Sequence, residues 1–178
     1  YGHLLDLHSF PTRRSSDLGS LSSDPAKSRA AVAYIFTKFS VAEVEQLYRE
    51  RGFSSGAIHY MACLQHLFRR QYPEALANAQ MPWPERGVID RDFYLGTLEL
   101  QCGRPELAEA PLRRHLERNA ASAAGHNNLG VLLRRRGRDG SACWKKALEL
   151  FPSYSDARAN LAGDEALPLT QLPSNRQR

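Results

Sequence analysis

Apolar residues recur at helical spacing through most of the chain, and no stretch alternates apolar and polar positions as a strand would. The clearest run is Ala123 to Leu161. Its first half places His126, Leu129 and Leu133 on one helical face with Leu132 beside them, and Gly137 ends it at a position suited to the left-handed turn of a helix C-terminus. Its second half places Trp144, Ala147, Leu148 and Phe151 at i, i+3, i+4 and i+7, and Pro152 closes it because proline cannot extend a helix. Together the halves predict a helical hairpin.

The same pattern lies upstream. Leu95-Gly96 precedes Leu129-Gly130 by 34 residues, and Gly103 precedes Gly137 by 34, the period of a two-helix repeat. This predicts one helix over 89–101 and a second over 105–118, with Leu107, Ala108, Leu112 and Leu116 facing inward and a kink at Pro111. A third start, Leu161-Ala162, follows after only 32 residues. The two-residue loss is expected between Gly137 and Gly140, since removing two residues within a helix would turn its apolar stripe by about 200°. Earlier helices are predicted over 25–39, from Ser40 to Gly52 with Glu43 completing a capping box, and over 57–70 around Tyr60, Met61, Leu64, Leu67 and Phe68. A short helix opening at Tyr72-Pro73 is stopped by Met81-Pro82-Trp83-Pro84. A cap helix is expected over 155–166, and a disordered tail over 167–178, where Pro168 and Pro173 punctuate a polar end.

The Leu-Gly pair, Trp144 and the ending Ala147-Leu148-Glu149-Leu150-Phe151-Pro152 resemble the tetratricopeptide repeat family, as does the opening Gln71 to Leu76. The resemblance implies an all-α, right-handed solenoid of helical hairpins over 19–166, with about three repeats, the clearest at 89–122 and 123–154, and irregular flanking helices. It further implies a protein-interaction module that binds a peptide or protein segment in a concave groove, its small residues letting paired helices approach closely.

Length and charge narrow the alternatives. The 178 residues, 42% of them hydrophobic, suffice for one domain with a core. The formal charge of +5 is concentrated locally, at Arg134, Arg135, Arg136, Arg138, Lys145 and Lys146. Cys63, Cys102 and Cys143 show no CxxC spacing, so neither a disulfide framework nor a zinc site is expected. No apolar run is long enough to predict a membrane span. His8 to Leu18, HSFPTRRSSDL, is similar to the conceptual translation of a widely used sequencing-adapter oligonucleotide. Residues 1–18 are therefore expected to be an artefactual or disordered leader, with the true upstream sequence missing and the cytoplasm only slightly favoured as compartment. Arginine outnumbers lysine by 20 to 4, which points to a GC-rich bacterial gene.

Gly52-Phe53-Ser54-Ser55-Gly56 matches GxSxG, but a nucleophile elbow needs a strand before the serine, and helices are predicted on both sides. The histidines lack ligand spacing and no phosphate loop is present, so no enzyme, metal or cofactor is predicted.

Asn128 and Asn160 each stand directly before the Leu-Gly or Leu-Ala step of a repeat. In the repeats of the O-linked N-acetylglucosamine transferase group, which this stretch resembles, asparagines at matching positions line the groove and hold a peptide backbone. A carboxamide offers a donor and an acceptor together, which suits that task. Tyr94 occupies the matching place one repeat earlier, and Thr97 joins the expected peptide-binding set. Asn127, Val131 and Arg134 share one face of their helix with Arg135 one turn beyond Val131, which would add a cationic wall. The alternative is a solvated helix end whose cations offset the dipole. Of the family's five chaperone-tail clamp positions only Asn128 carries the expected residue; Phe93, Thr97, Asp156 and Asn160 fill the others, and Asp156 would repel a carboxylate. Two rival functions are a substrate-recruiting portion of a larger enzyme whose upstream part is missing, and RNA binding by the basic patch, which lacks aromatic stacking residues. The expected partner is a protein or peptide, and the oligomeric state is left open.

Overall fold

The structure, a computed structural model, describes residues 33–83, 90–163 and 165–171. The expected leader, the helix start at Asp24-Pro25, Ile89 and the last residues of the tail lie outside them. Among the described residues every regular element is helical. Helical residues 33–38 precede α1 (Val41–Glu50), α2 (Ser55–Phe68), α3 (Tyr72–Gln80), α4 (Arg91–Gln101), α5 (Pro105–Arg118), α6 (Ala123–Arg135), α7 (Ser141–Leu150) and α8 (Ser155–Leu161). None of these is long and apolar enough to cross a membrane.

Local chemistry accounts for the helix ends. Ser40 and Glu43 form a reciprocal capping box at α1, and the Ser54 hydroxyl accepts from the Ala57 N–H at α2. The serine of the GxSxG string is thus occupied as a helix cap. Among the described residues, four helices end on the same hydrogen bond, in which the third residue beyond the helix, separated from the cap residue by one other, donates back to the last turn: Phe53 N–H to Tyr48 O (3.0 Å), Gln71 to His66 (2.9 Å), Arg104 to Glu99 (2.8 Å) and Arg138 to Leu133 (2.8 Å). The residue between takes positive φ, at Gly52, Gly103 and Gly137, but at the end of α2 that residue is Arg70, with φ +60°. A side chain there crowds its own carbonyl. Arg70→Gly should therefore raise unfolding free energy by about 1 kcal/mol, read from urea denaturation.

Consecutive helices pack on one another, and α6 also touches α4 and α8. Close approach depends on missing side chains: a Cβ at Gly96 would overlap Leu112, one at Gly130 would overlap the Trp144 ring, and one at Gly140 would overlap the backbone of Gly130. At the start of α4, Asp90 receives His115 and Arg118 while Asp92 receives Arg114 and Arg118, joining α4 to α5. Partial burial works against the Asp90 charge, but the bonds from His115 and Arg118 outweigh it and hold the carboxyl at about 2.

Four differences from the sequence expectation lie within the helices and the turns between them. Leu107 is 56% exposed, and the inward stripe of α5 runs instead through Ala108, Leu112 and His115, which keep the i, i+4, i+7 spacing that Leu107 breaks. In α6, the deepest residues are Ala124, Asn127, Asn128, Val131 and Leu132, while His126, Leu129 and Leu133 are half-buried. The missing two residues are not lost from the turn: it spans 136–140 against 102–104 in the preceding hairpin, and α7 has 10 residues where α5 has 14. Dropping about one helical turn preserves the stripe, as dropping two residues could not. Finally, the cap helix stops at Leu161 rather than near Ala166, because Gly163 turns the chain at φ +92°.

Candidate functional site

Three helices bring four polar side chains together: Thr97 from α4, Asn127 and Asn128 from α6, and Asn160 from α8. Both α6 asparagines are 0% exposed and Asn160 is 2% exposed. Buried carboxamides must find partners or forfeit their hydration, at a cost of about 1–3 kcal/mol for each group left unpaired. Their partners are main-chain groups of residues 168–170.

Asn128 pairs with both faces of one peptide residue: its Nδ2 donates to Thr170 O (2.8 Å) and its Oδ1 accepts from Thr170 N (2.9 Å). Thr97 Oγ1 accepts the other Nδ2 hydrogen at 2.8 Å and so fixes the amide plane. Asn127 Nδ2 and Asn160 Nδ2 converge on Pro168 O at 3.1 and 3.0 Å, and Asn160 Nδ2 also donates to Asn127 Oδ1 (2.8 Å). Groups two residues apart in an extended chain point the same way, so residues 168 and 170 present their main chain to the asparagines together. Leu169 packs against the apolar core, as does Leu167. Residues 167–171, read from the sequence as part of a disordered tail, are thus seated on the helices, held by the nearby Asn160 and by Asn127 and Asn128, which lie far away in sequence.

The Thr170 side chain has its own nest. Its hydroxyl donates to Asp156 Oδ2 (2.8 Å), lies in hydrogen-bond contact with the Tyr154 hydroxyl, and meets Asn127 Nδ2 at 3.3 Å. Tyr154 and Asp156 were not among the residues expected from the sequence to bind peptide. The sequence signal for Tyr154 is only its position at the start of the helix that carries Asn160, whereas Asp156 also fills one of the family's clamp positions, where it argued against a carboxylate ligand.

Other expected residues lie elsewhere. Tyr94 does not face the seated segment; its ring packs edge-on against Trp83 and Phe93, with centroids 5.3 and 5.7 Å away. Val131 is fully buried in the core. Arg135 donates to Leu100 O near the end of α4, which binds helix to helix rather than forming a groove wall. Arg136 and Arg138 both face Glu109. Arg134 lines a cleft of about 430 Å³ beside the segment, together with Asp139, Trp144, Asn160, Leu161 and Leu167. The structure therefore joins Asn127, Asn128, Asn160 and Thr97 in one site, sets Arg134 beside it, and removes Tyr94, Val131 and Arg135 from it.

No family model, curated protein or solved structure matches this chain.

Proposed function

We propose that the chain is a tetratricopeptide-like helical-repeat module that binds an extended segment of a partner protein by its main chain. The observation that carries this reading is the set of asparagine carboxamides on α6 and α8 paired with the N–H and C=O groups of residues 168–170. Main-chain pairing of this kind gives affinity whatever the side chains, and neighbouring pockets then supply choice. The solenoid arrangement is supported by α6 touching both α4 and α8, and by the helix ends at Gly103 and Gly137 that repeat after 34 residues. RNA binding by the basic patch has less support, because Arg136 and Arg138 are turned to Glu109 and Arg135 to a helix carbonyl.

A fluorescein-labelled peptide Leu-Pro-Leu-Thr-Gln, titrated onto the full chain carrying Thr170→Pro so that residues 167–171 do not compete for the same asparagines, tests the assignment. Asn128→Ala combined with Asn160→Ala should weaken binding at least tenfold while the far-ultraviolet circular dichroism keeps its helical signal. Raising salt from about 50 to about 500 mM should change the affinity little, whereas phosphate-directed binding would fall steeply. Equal affinity of the Thr170→Pro chain with and without the two asparagine changes would remove the groove assignment.

A further inference from the structure

The seated segment is an incomplete ligand. At Thr170 the Asn128 carboxamide uses both of its ends, giving a hydrogen to the carbonyl and taking one from the N–H. At residue 168 the Asn160 carboxamide uses only one. Its Nδ2 serves Pro168 O and Asn127 Oδ1, which fixes the orientation of the amide, and its Oδ1 is buried without a hydrogen-bond partner. Proline has no N–H to offer. The residue seated opposite Asn160 is thus of the type that cannot complete the pair.

The turn into the segment carries a second cost. Leu167 is held at φ +46°, a conformation that side chains rarely adopt, directly before a proline that restricts its predecessor further. A free peptide entering from solution would not share that tether. Against these defects, the Thr170 hydroxyl is fully used, with Asp156 as acceptor and Tyr154 and Asn127 beside it. A site built around a hydroxyl rejects a residue lacking one far more strongly than it rejects a change of apolar size.

Resting on the peptide-binding reading, we propose that the external ligand is an extended segment with threonine or serine two positions after a residue that keeps its N–H, and that Leu167–Gln171 is a weaker internal occupant which this ligand displaces. Tethering gives the internal segment an effective concentration on the order of millimolar, so a poor ligand suffices to cover the site until a better one arrives. The proline is what keeps the cover removable.

Labelled pentapeptides and the full chain test this directly. Leu-Ala-Leu-Thr-Gln should bind about tenfold more tightly than Leu-Pro-Leu-Thr-Gln, and the same peptide with N-methylalanine at the second position should fall back to the proline value. Valine in place of threonine should cost at least tenfold. In the chain itself, Pro168→Ala should tighten the cover and weaken every peptide added in solution about tenfold. Thr170→Pro, which removes both the N–H taken by Asn128 and the hydroxyl, should uncover the site and strengthen them by a similar factor. Equal affinity of the alanine and proline peptides would overturn the role of the N–H, and unchanged peptide affinity in the Thr170→Pro chain would overturn the internal cover. If neither wild type nor Thr170→Pro binds any of the peptides, the peptide-binding reading itself fails. Binding to Thr170→Pro with no difference between the peptides would instead leave that reading standing and sink this proposal alone.

Discussion

Gly140→Ala should lower the unfolding free energy by about 3 kcal/mol, although it adds a single methyl group. The added carbon would fall on the carbonyl oxygen, carbonyl carbon and Cα of Gly130. These are backbone atoms in the middle of α6, so no rotamer change can relieve the overlap and the α6–α7 hairpin must open. Overpacking costs of about 1–3 kcal/mol are usual where side chains can give way, and the upper end applies where they cannot. Opening the hairpin also strains the bond from Trp144 Nε1 to Asn127 O (3.3 Å), which connects the hairpin to the asparagine site. Gly103→Ala is the informative control. Its Cβ would meet nothing within 4 Å, and its cost is confined to the positive φ of +73°, about 1 kcal/mol. Urea denaturation of both variants decides the matter: a smaller loss at Gly140 than at Gly103 would mean that the hairpin is not closed as tightly as described.

Asn128→Asp should be the most damaging change in the groove, because it preserves shape and reverses one hydrogen-bond role. The wild-type Nδ2 donates to Thr97 Oγ1 and to Thr170 O. An ionised carboxylate has no hydrogen for either, and the Thr170 carbonyl can only repel it. At neutral pH the expected loss is about 3 kcal/mol, the order expected for an uncompensated polar group in a buried position. The variant also carries a pH signature. Burial and the facing carbonyl raise the folded-state pKa of the new carboxyl above its unfolded value near about 3.9. The folded variant then binds its proton at a higher pH than the unfolded chain does, so stability is regained as pH falls through the folded pKa. The protonated acid recovers one donor. Urea midpoints at pH 7.5 and pH 5, each taken relative to wild type, should show the deficit shrinking at the lower pH. Asn128→Leu, which has no proton to gain, should show an equal deficit at both. A pH-independent deficit for Asn128→Asp would mean that the donor to Thr170 contributes nothing.

Elements whose chemistry is local were legible in the sequence. Ser40 with Glu43 gave α1 its start, Gly103 and Gly137 marked two helix ends, and proline closed α3 and α7. The hairpin before these was harder to see because Arg70 occupies the position where the later ones carry glycine. Face assignment in α6 failed for a related reason. The helical spacing of His126, Leu129 and Leu133, with Leu132 beside them, selects a face of which only Leu132 is among the deepest residues, whereas the deepest face includes Asn127 and Asn128, whose polarity is satisfied by partners the periodicity does not reveal. The position of Asn128 and Asn160 was readable from the repeat, but their occupant was not. Proline-punctuated residues 167–171 have too little apolar surface to order themselves, and their order comes from bonds to α6 and α8 that span up to 43 residues of sequence. Tyr154 went unnoticed, and Asp156 was weighed only as a charge that would repel a carboxylate, because the hydroxyl of Thr170 is what gives both a purpose.

The site also has a direction. The Pro168 carbonyl is held by Asn127 and Asn160, the Thr170 main chain by Asn128 and the Thr170 hydroxyl by Asp156, so the two ends of the seated segment meet different partners. Every peptide unit has one N–H and one C=O, so the composition of the main chain alone sets no direction. Here the hydroxyl nest lies at one end and the open half of the Asn160 pair at the other. On the proposed reading, a partner segment that pairs as residues 168–170 do enters with its N-terminal side at Asn160 Oδ1 and its C-terminal side at the Asp156 nest, so the two flanks of the site are not interchangeable.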